Sequence, residues 1–339
     1  MRQKKSNDPV QPQDSSIQPS YAADNEDDAD TADHVDTADD ADSTSLPLLD
    51  LFRQGQVDLS DDELKDIVQR QVIAELAKTD LATRYNILFL HDDRAIDRLD
   101  ADRIYRAVET ISGTLPILLI LNSRGGSPSA AYFIAKICRE YSDGIFEVAV
   151  PRQAKSAATL ICCGADRIHM GSLSELGPID PQFGQTPALA LKYSIEHLAD
   201  LAGRYPAAAE MFANYLAKSL RLEDMGYYER VAVSATHYAE RLLRSRTAAQ
   251  DSEKAMSELA HRLVYEYKDH GFAIDAREAA ELFGTSVVGI NTEQYDLANQ
   301  LYRTFDLLAW IIRTRFNRQF VFTGNAESGC LILEANPSF

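Results

Sequence analysis

Two apolar runs, each ending in a sharp change of composition, most restrict what this chain can fold into. Ile117-Leu118-Leu119-Ile120-Leu121 runs into Asn122-Ser123-Arg124-Gly125-Gly126, and Ile145-Phe146-Glu147-Val148-Ala149-Val150 is soon followed by Ala154-Lys155-Ser156-Ala157-Ala158-Thr159-Leu160. Apolar runs of this length read as strands buried on both faces, and the residues after each read as a helix start. Ser127-Pro128 opens one helix with proline at its first position. Ala130, Phe133, Ile134, Ile137, Cys138 and Tyr141 continue it at spacings of three and four, one core-facing stripe. Residues 85–90 and 166–170 read as further strands, with helices at about 99–112 and from Ser156 to a break at Gly164. Strands alternating with helices imply parallel crossover units, hence an α/β domain.

The ends of these two strands carry the chemistry. A serine at a strand-to-helix turn, facing a glycine-rich strand end, sets a nucleophile beside free backbone N–H groups, an arrangement suited to acyl transfer. The N–H of Gly126, with Gly125 shaping the turn, and the N–H of Ala157 are the expected donors to a developing oxyanion. Two plainer readings stand beside this one. Ser156 can be an ordinary N-cap, and Gly125-Gly126 the loop before the next helix.

Outside this region the chain divides by composition. Residues 1–46 carry twelve acidic and three basic side chains, about half of the chain's net charge of −18, and lack the apolar area to offset ordering. They are expected to be a disordered acidic tail. Residues 47–84 read as a helical lead-in, with Ser60-Asp61-Asp62-Glu63 as a helix start before Leu64, Ile67, Val68 and Val72. The α/β domain is expected over 85–290, with helices from about 187 to 268, a helix near 276–283 and a short strand at 286–290. Residues 291–339 are expected as a helical extension that becomes irregular beyond 316.

Charge and cysteine usage exclude several function classes. A net charge of −18 disfavours nucleic acid or an anionic membrane surface as partner. Cys138, Cys162, Cys163 and Cys330 show no metal-ligand spacing, so no metal site is expected and a reducing, cytoplasmic location fits. The basic start, Met-Arg-Gln-Lys-Lys, is followed by no apolar segment of the secretory type. No apolar run approaches 18 residues, so no membrane span is expected. No phosphate-binding glycine loop appears, so the chain itself is expected to be ATP-independent and to need no cofactor.

Several blocks together resemble the serine dehydrogenase proteinase family, of the Clp protease/crotonase fold and related to signal peptide peptidase-type serine peptidases. The most specific are Ala165-Asp166-Arg167-Ile168 and Leu176-Gly177-Pro178-Ile179-Asp180-Pro181-Gln182. They are joined by Asn122–Gly126, Ala154–Leu160 and the late Asp269-His270-Gly271-Phe272-Ala273-Ile274 with Glu278-Ala279. The resemblance spans roughly residues 85–290. It implies repeated ββα units with a helical C-terminal annex, a polypeptide substrate and a homo-oligomer. It puts Ser156 at the family's serine.

The resemblance leaves the general base open. Clp proteases use histidine and aspartate, but the corresponding position here falls in Gly177-Pro178-Ile179-Asp180, where no histidine stands. The signal peptide peptidase group uses lysine, and Lys192, 36 residues after Ser156, is similar in separation. To act as a base, Lys192 must lose its proton at a pH well below the ordinary lysine value of about 10.4, which burial among Ala188, Leu189 and Ile195 would favour. Glu196 at i+4 favours the charged form instead. Lys155 and Asp180 are candidates for supporting roles. His169, mid-strand, reads as structural, as do His261 and His270. Three functions follow: a serine peptidase, a crotonase-like acyl-CoA enzyme in which the serine is dispensable, and an inactive scaffold.

Overall fold

The computed structural model describes residues 59–111, 115–179, 182–183, 186–219, 222–247, 252–267 and 269–335, of which 182–183, 186–192, 219 and 222–228 are described as backbone only. All belong to a contact unit over Ser45–Phe339. The expected tail and the start of the lead-in lie outside the described residues.

Helix α1 (Asp61–Leu76) begins at the expected place: the Ser60 side chain accepts from the Glu63 N–H, and Glu63 reaches back to the Ser60 N–H. A single turn, α2 (Leu81–Arg84), leads into strand β1 (Asn86–Asp92). Helix α3 (Arg98–Glu109) is capped by Asp97, and strand β2 (Ile117–Ser123) is buried at every position. Helix α4 (Pro128–Tyr141) is capped by Ser127. Strand β3 (Phe146–Ala149), the two-residue strand β4 (Gln153–Ala154) and helix α5 (Ala157–Cys163) make one β–β–α unit. Strands β5 (Arg167–Met170) and β6 (Glu175–Leu176) repeat the β–β part.

The strands β7 (Gln182–Phe183) and β8 (Thr186–Pro187) pair with each other ahead of helix α6 (Ala188–Arg204). Helices α7 (Ala209–Ser219), α8 (Leu222–Arg244) and α9 (Glu253–His261) follow, the last running into a π-helical turn at Arg262–Glu266. Strand β9 (Ile274–Asp275), helix α10 (Ala276–Phe283) and strand β10 (Val288–Ile290) precede helix α11 (Glu293–Phe316).

The chain beyond 316 overturns the expectation of irregular structure. Arg318–Gly324 and Cys330–Glu334 form an antiparallel hairpin, β11 and β12, entered through Asn317 in the left-handed region at φ 50°. Strand β11 pairs antiparallel with β1, so the C-terminal segment completes the sheet edge.

The main sheet runs β10-β5-β3-β2-β1-β11-β12, parallel from β10 to β1. Alternation along β2 shows why it is apolar throughout: Ile117, Leu119 and Leu121 face one helical layer, whereas Leu118 and Ile120 face the other. The first layer is packed by α3, α4, α5, α8 and α9. The second is α1 and α11, with Phe305 stacked on Phe322 at 5.3 Å and edge-on to Phe89 at 6.1 Å.

The buried Asp166 carboxylate is held on several sides. Arg139 of α4 grips Asp166 through two hydrogen bonds of 2.7 Å, and the same carboxylate accepts from the N–H groups of Phe146 and Thr247. No helix among the described residues is long and apolar enough to cross a membrane.

Candidate active site

Parallel pairing of β2 with β4 joins Ser123 to Ala154 in register, so the residues two places further on, Gly125 and Ser156, come side by side. Lys155 N–H donates to the Ser123 carbonyl at 3.0 Å and secures the pairing one residue before Ser156. Only Lys155 and Ser156 separate β4 from α5, so the chain must reverse direction within two residues. Ser156 achieves this at φ 50°, ψ −114°, a conformation that L-residues rarely adopt.

The strain separates the two readings of Ser156. At Ser60, Ser127 and Ser252 the cap residue is extended, with φ of −67°, −68° and −64°, and each hydroxyl accepts a helix N–H. Ser156 has positive φ and its hydroxyl makes no cap bond. Among the described residues nothing hydrogen-bonds it. A side chain on such a turn is held out from the helix, as a nucleophile at a strand-to-helix elbow is.

The glycines are required by contact. A Cβ on Gly125 would lie 2.5 Å from the Lys155 carbonyl oxygen and 3.0 Å from both the Ala157 nitrogen and the Ser156 Cβ, and φ there is 97°. Gly126, at φ 153°, presses on the backbone of Ile96 so closely that no Cβ fits. Ile96 N–H donates to Gly125 O and Ser127 N–H to Ile96 O, each at 2.8 Å, leaving the Gly126 N–H out of the bridge. The Gly125 N–H is used by Ser123 Oγ at 3.2 Å. The N–H groups of Gly126 and Ala157 have no acceptor among the described residues. Two uncommitted amides thus flank an uncommitted hydroxyl, which is the donor set that acyl transfer uses.

Lys155 does not meet the serine hydroxyl. Its ammonium lies 3.0 Å from Glu175 Oε2 and donates to the Phe272 carbonyl at 3.2 Å, and its stem packs on Gly177. It ties β4 to β6 and to the segment before β9. Lys192 falls in α6, but its side chain is outside the described residues, as is all of Asp180. Neither candidate therefore has a described side-chain position.

His169 is 1% exposed, with Nε2 3.0 Å from Glu147 Oε2 and Nδ1 2.9 Å from Thr292 Oγ1. Burial pushes the Glu147 carboxyl up, but the His169 and Tyr85 hydrogen bonds outweigh it and hold it below the ordinary range. This network ties β3 and β5 to the start of α11. The thiols offer no rival nucleophile: burial pushes Cys138 and Cys163 up to about 12, and all four cysteines are free and buried.

Three supporting features escaped the sequence reading. Thr159 of α5 is fully buried against Ala154 and Gly177, and its signal was available as the one hydroxyl in Ala157–Cys163. The π-helical turn accepts from outside its own helix: Ile179 N–H donates to Leu263 O at 2.8 Å, and the Tyr193 hydroxyl to Tyr265 O at 2.7 Å. The Glu175 partner of Lys155 also had no local signature.

The fold and site define a mixed α/β protein with a serine on a strained strand-to-helix turn. Residues 63–200 match the family described as ClpP-like SDH-type serine proteinase, in agreement with the resemblance carried by the motifs. That match points to a serine-type hydrolase. Uncharacterized protein MJ0137 of Methanocaldococcus jannaschii is 28% identical over 223 residues, 66% of this chain and 68% of that protein. Uncharacterized protein MJ1495 of the same organism is 36% identical over 92 residues, and the chain spans only 31% of its length. Among solved structures, ClpP1 from Listeria monocytogenes is similar at 15% identity and a TM-score of 0.36, over 65% of this chain and 99% of that one.

Proposed function

We propose that this protein is a serine peptidase that cleaves polypeptides through an acyl-enzyme on Ser156. One observation carries the reading: an uncapped serine held at φ 50° beside two uncommitted backbone amides. Ser156 Oγ attacks the scissile carbonyl carbon while its proton passes to the base. The carbonyl electrons move onto oxygen, and the Gly126 and Ala157 N–H groups donate hydrogen bonds to it. Collapse breaks the C–N bond, and the amine leaves with the proton held by the base. Water then hydrolyses the ester by the same route and restores the serine.

Lys192 is the base in this reading, supported by its separation from Ser156 and its place in α6 behind the 177–179 segment. A lysine base acts only when neutral, so kcat/KM rises with pH through its ionisation. A homo-oligomer and a cytoplasmic location belong to the same proposal. The first is supported by Tyr205, Met211 and Tyr215, all more than 60% exposed near α6 and α7, the second by four free cysteines.

Casein cleavage and labelling by a fluorophosphonate test the reading, with Ser156→Ala and Lys192→Ala as controls matched for folding. Wild-type cleavage and labelling, both lost in Ser156→Ala and reduced at least about 100-fold in Lys192→Ala, are expected. Equal cleavage by wild type and Ser156→Ala overturns it. Turnover of an acyl-CoA thioester that survives Ser156→Ala assigns the site to crotonase-like chemistry instead.

A further inference from the structure

Helix α5 reads Ala-Ala-Thr-Leu-Ile-Cys-Cys, and its single hydroxyl is wholly buried. A threonine inside a regular helix bonds back to the carbonyl four residues earlier. Thr159 does not. Its Oγ1 lies 2.6 Å from the carbonyl oxygen of Ala154, five residues back, and 2.7 Å from that of Gly177, and accepts the Gly177 N–H at 3.1 Å. The Gly177 N–H also reaches Ala154 O at 3.1 Å.

The displaced partner follows from the turn. With Ser156 at positive φ, the chain before it leaves the helical path, and the Thr159 hydroxyl bonds Ala154 O rather than Lys155 O. Lys155 O is engaged by the Ala158 N–H at 2.8 Å and sits against Gly125. The Thr159 hydroxyl has one proton and two carbonyls within reach, plus one N–H to accept. It therefore joins the last residue of β4 to Gly177. Gly177 precedes Ile179, which the π-helical turn holds, and this segment leads to α6.

We propose that Thr159 is a positioning residue that locks the strained Ser156 turn and fixes its distance from the segment leading to the general base. This rests on the reading of Ser156 as nucleophile. Thr159 touches no reacting atom; it acts through the Ala154 and Gly177 backbone. A strained conformation persists only where its surroundings over-determine it. Removing the hydroxyl leaves Ala154 O and Gly177 with only their mutual bond and lets the turn relax.

Thr159→Val keeps the shape and removes the hydroxyl; Thr159→Ser keeps the hydroxyl. The readouts are kcat and KM on a fluorogenic peptide, the second-order rate of fluorophosphonate labelling, the pH profile, and the melting temperature. Thr159→Val is expected to lower kcat and the labelling rate about 10- to 100-fold with KM within about twofold, the scale of an ångström-level misplacement. Thr159→Ser is expected within about threefold of wild type. If Thr159→Val does not fold, a Thr159→Ala variant assayed per folded molecule must show the same kcat loss, or the role is refuted. Wild-type protein that takes up no fluorophosphonate overturns the peptidase reading. Wild type that reacts while folded Thr159→Val reacts as fast overturns the positioning role alone.

Discussion

Gly125→Ala places a methyl group where the backbone leaves no room. Its Cβ would stand 2.5 Å from Lys155 O, against an ordinary contact of 3.4 Å or more, and 3.0 Å from the Ala157 nitrogen. Both neighbours are backbone, so no side chain can swing aside. Relief requires the Ser156 turn to retreat by about 0.9 Å from the strand end beside it. A shift near 1 Å at a reacting centre costs about 100-fold in rate, and mis-aiming the Ala157 N–H costs about 10²–10³ in kcat.

Stability falls as well, because φ at Gly125 is 97° and an alanine there carries about 1–3 kcal/mol of strain. Part of this is offset by the stiffer unfolded chain, about 0.4–1 kcal/mol. The expected result is a folded protein melting a few degrees lower, with fluorophosphonate labelling and peptide cleavage down by two orders of magnitude or more. A Gly125→Ala variant within threefold of wild-type kcat would refute the reasoning, since the contact that ties the strand end to the serine turn would then not constrain chemistry.

Other outcomes follow from the core. Arg139→Ala strands the buried Asp166 carboxylate and should cost about 3–5 kcal/mol by urea denaturation; a loss under 1 kcal/mol refutes the pairing as a structural clamp. Phe305→Ala empties the contact with Phe89, Phe320 and Phe322 and should cost about 3–5 kcal/mol, read by the same transition. Burial pushes His91, under Tyr302 and Phe305, down to about 4, against the opposing pull of Asp93, Asp92 and Asp306. Between pH 6.5 and about 4 the unfolded state thus binds this proton and the folded state does not. Stability from His91 is complete above pH 6.5 and falls by up to about 3 kcal/mol as the pH drops to about 4, at about 1.4 kcal/mol per unit. His91→Gln should flatten that part of the stability–pH curve; an unchanged slope rejects the assignment.

Much of the frame was legible because its signals are local. The apolar runs of β1, β2 and β3, the capping residues Ser60 and Ser127, and Pro128 each carry their meaning within a few residues. The α/β alternation followed from them, and so did the placing of Ser156 and Gly125-Gly126 at neighbouring strand ends. The hairpin of β11 and β12 was not legible, and its place in the sheet depends on Arg318–Gly324 pairing with β1, more than 200 residues earlier. Strands β4, β6 and β9 are two residues long and have no periodicity to read.

The sequence by itself determined the longer strands and capped helices of the α/β frame and which two strand ends bear the candidate chemistry, since burial pattern and helix caps are properties of neighbouring residues. Only the tertiary structure decided that Ser156 is strained rather than a cap, that Lys155 is tied to Glu175 and Phe272, and that Thr159 bridges Ala154 to Gly177. Those outcomes depend on contacts between segments that meet only after the sheet has assembled, and no local pattern encodes the partner at the far end of such a contact.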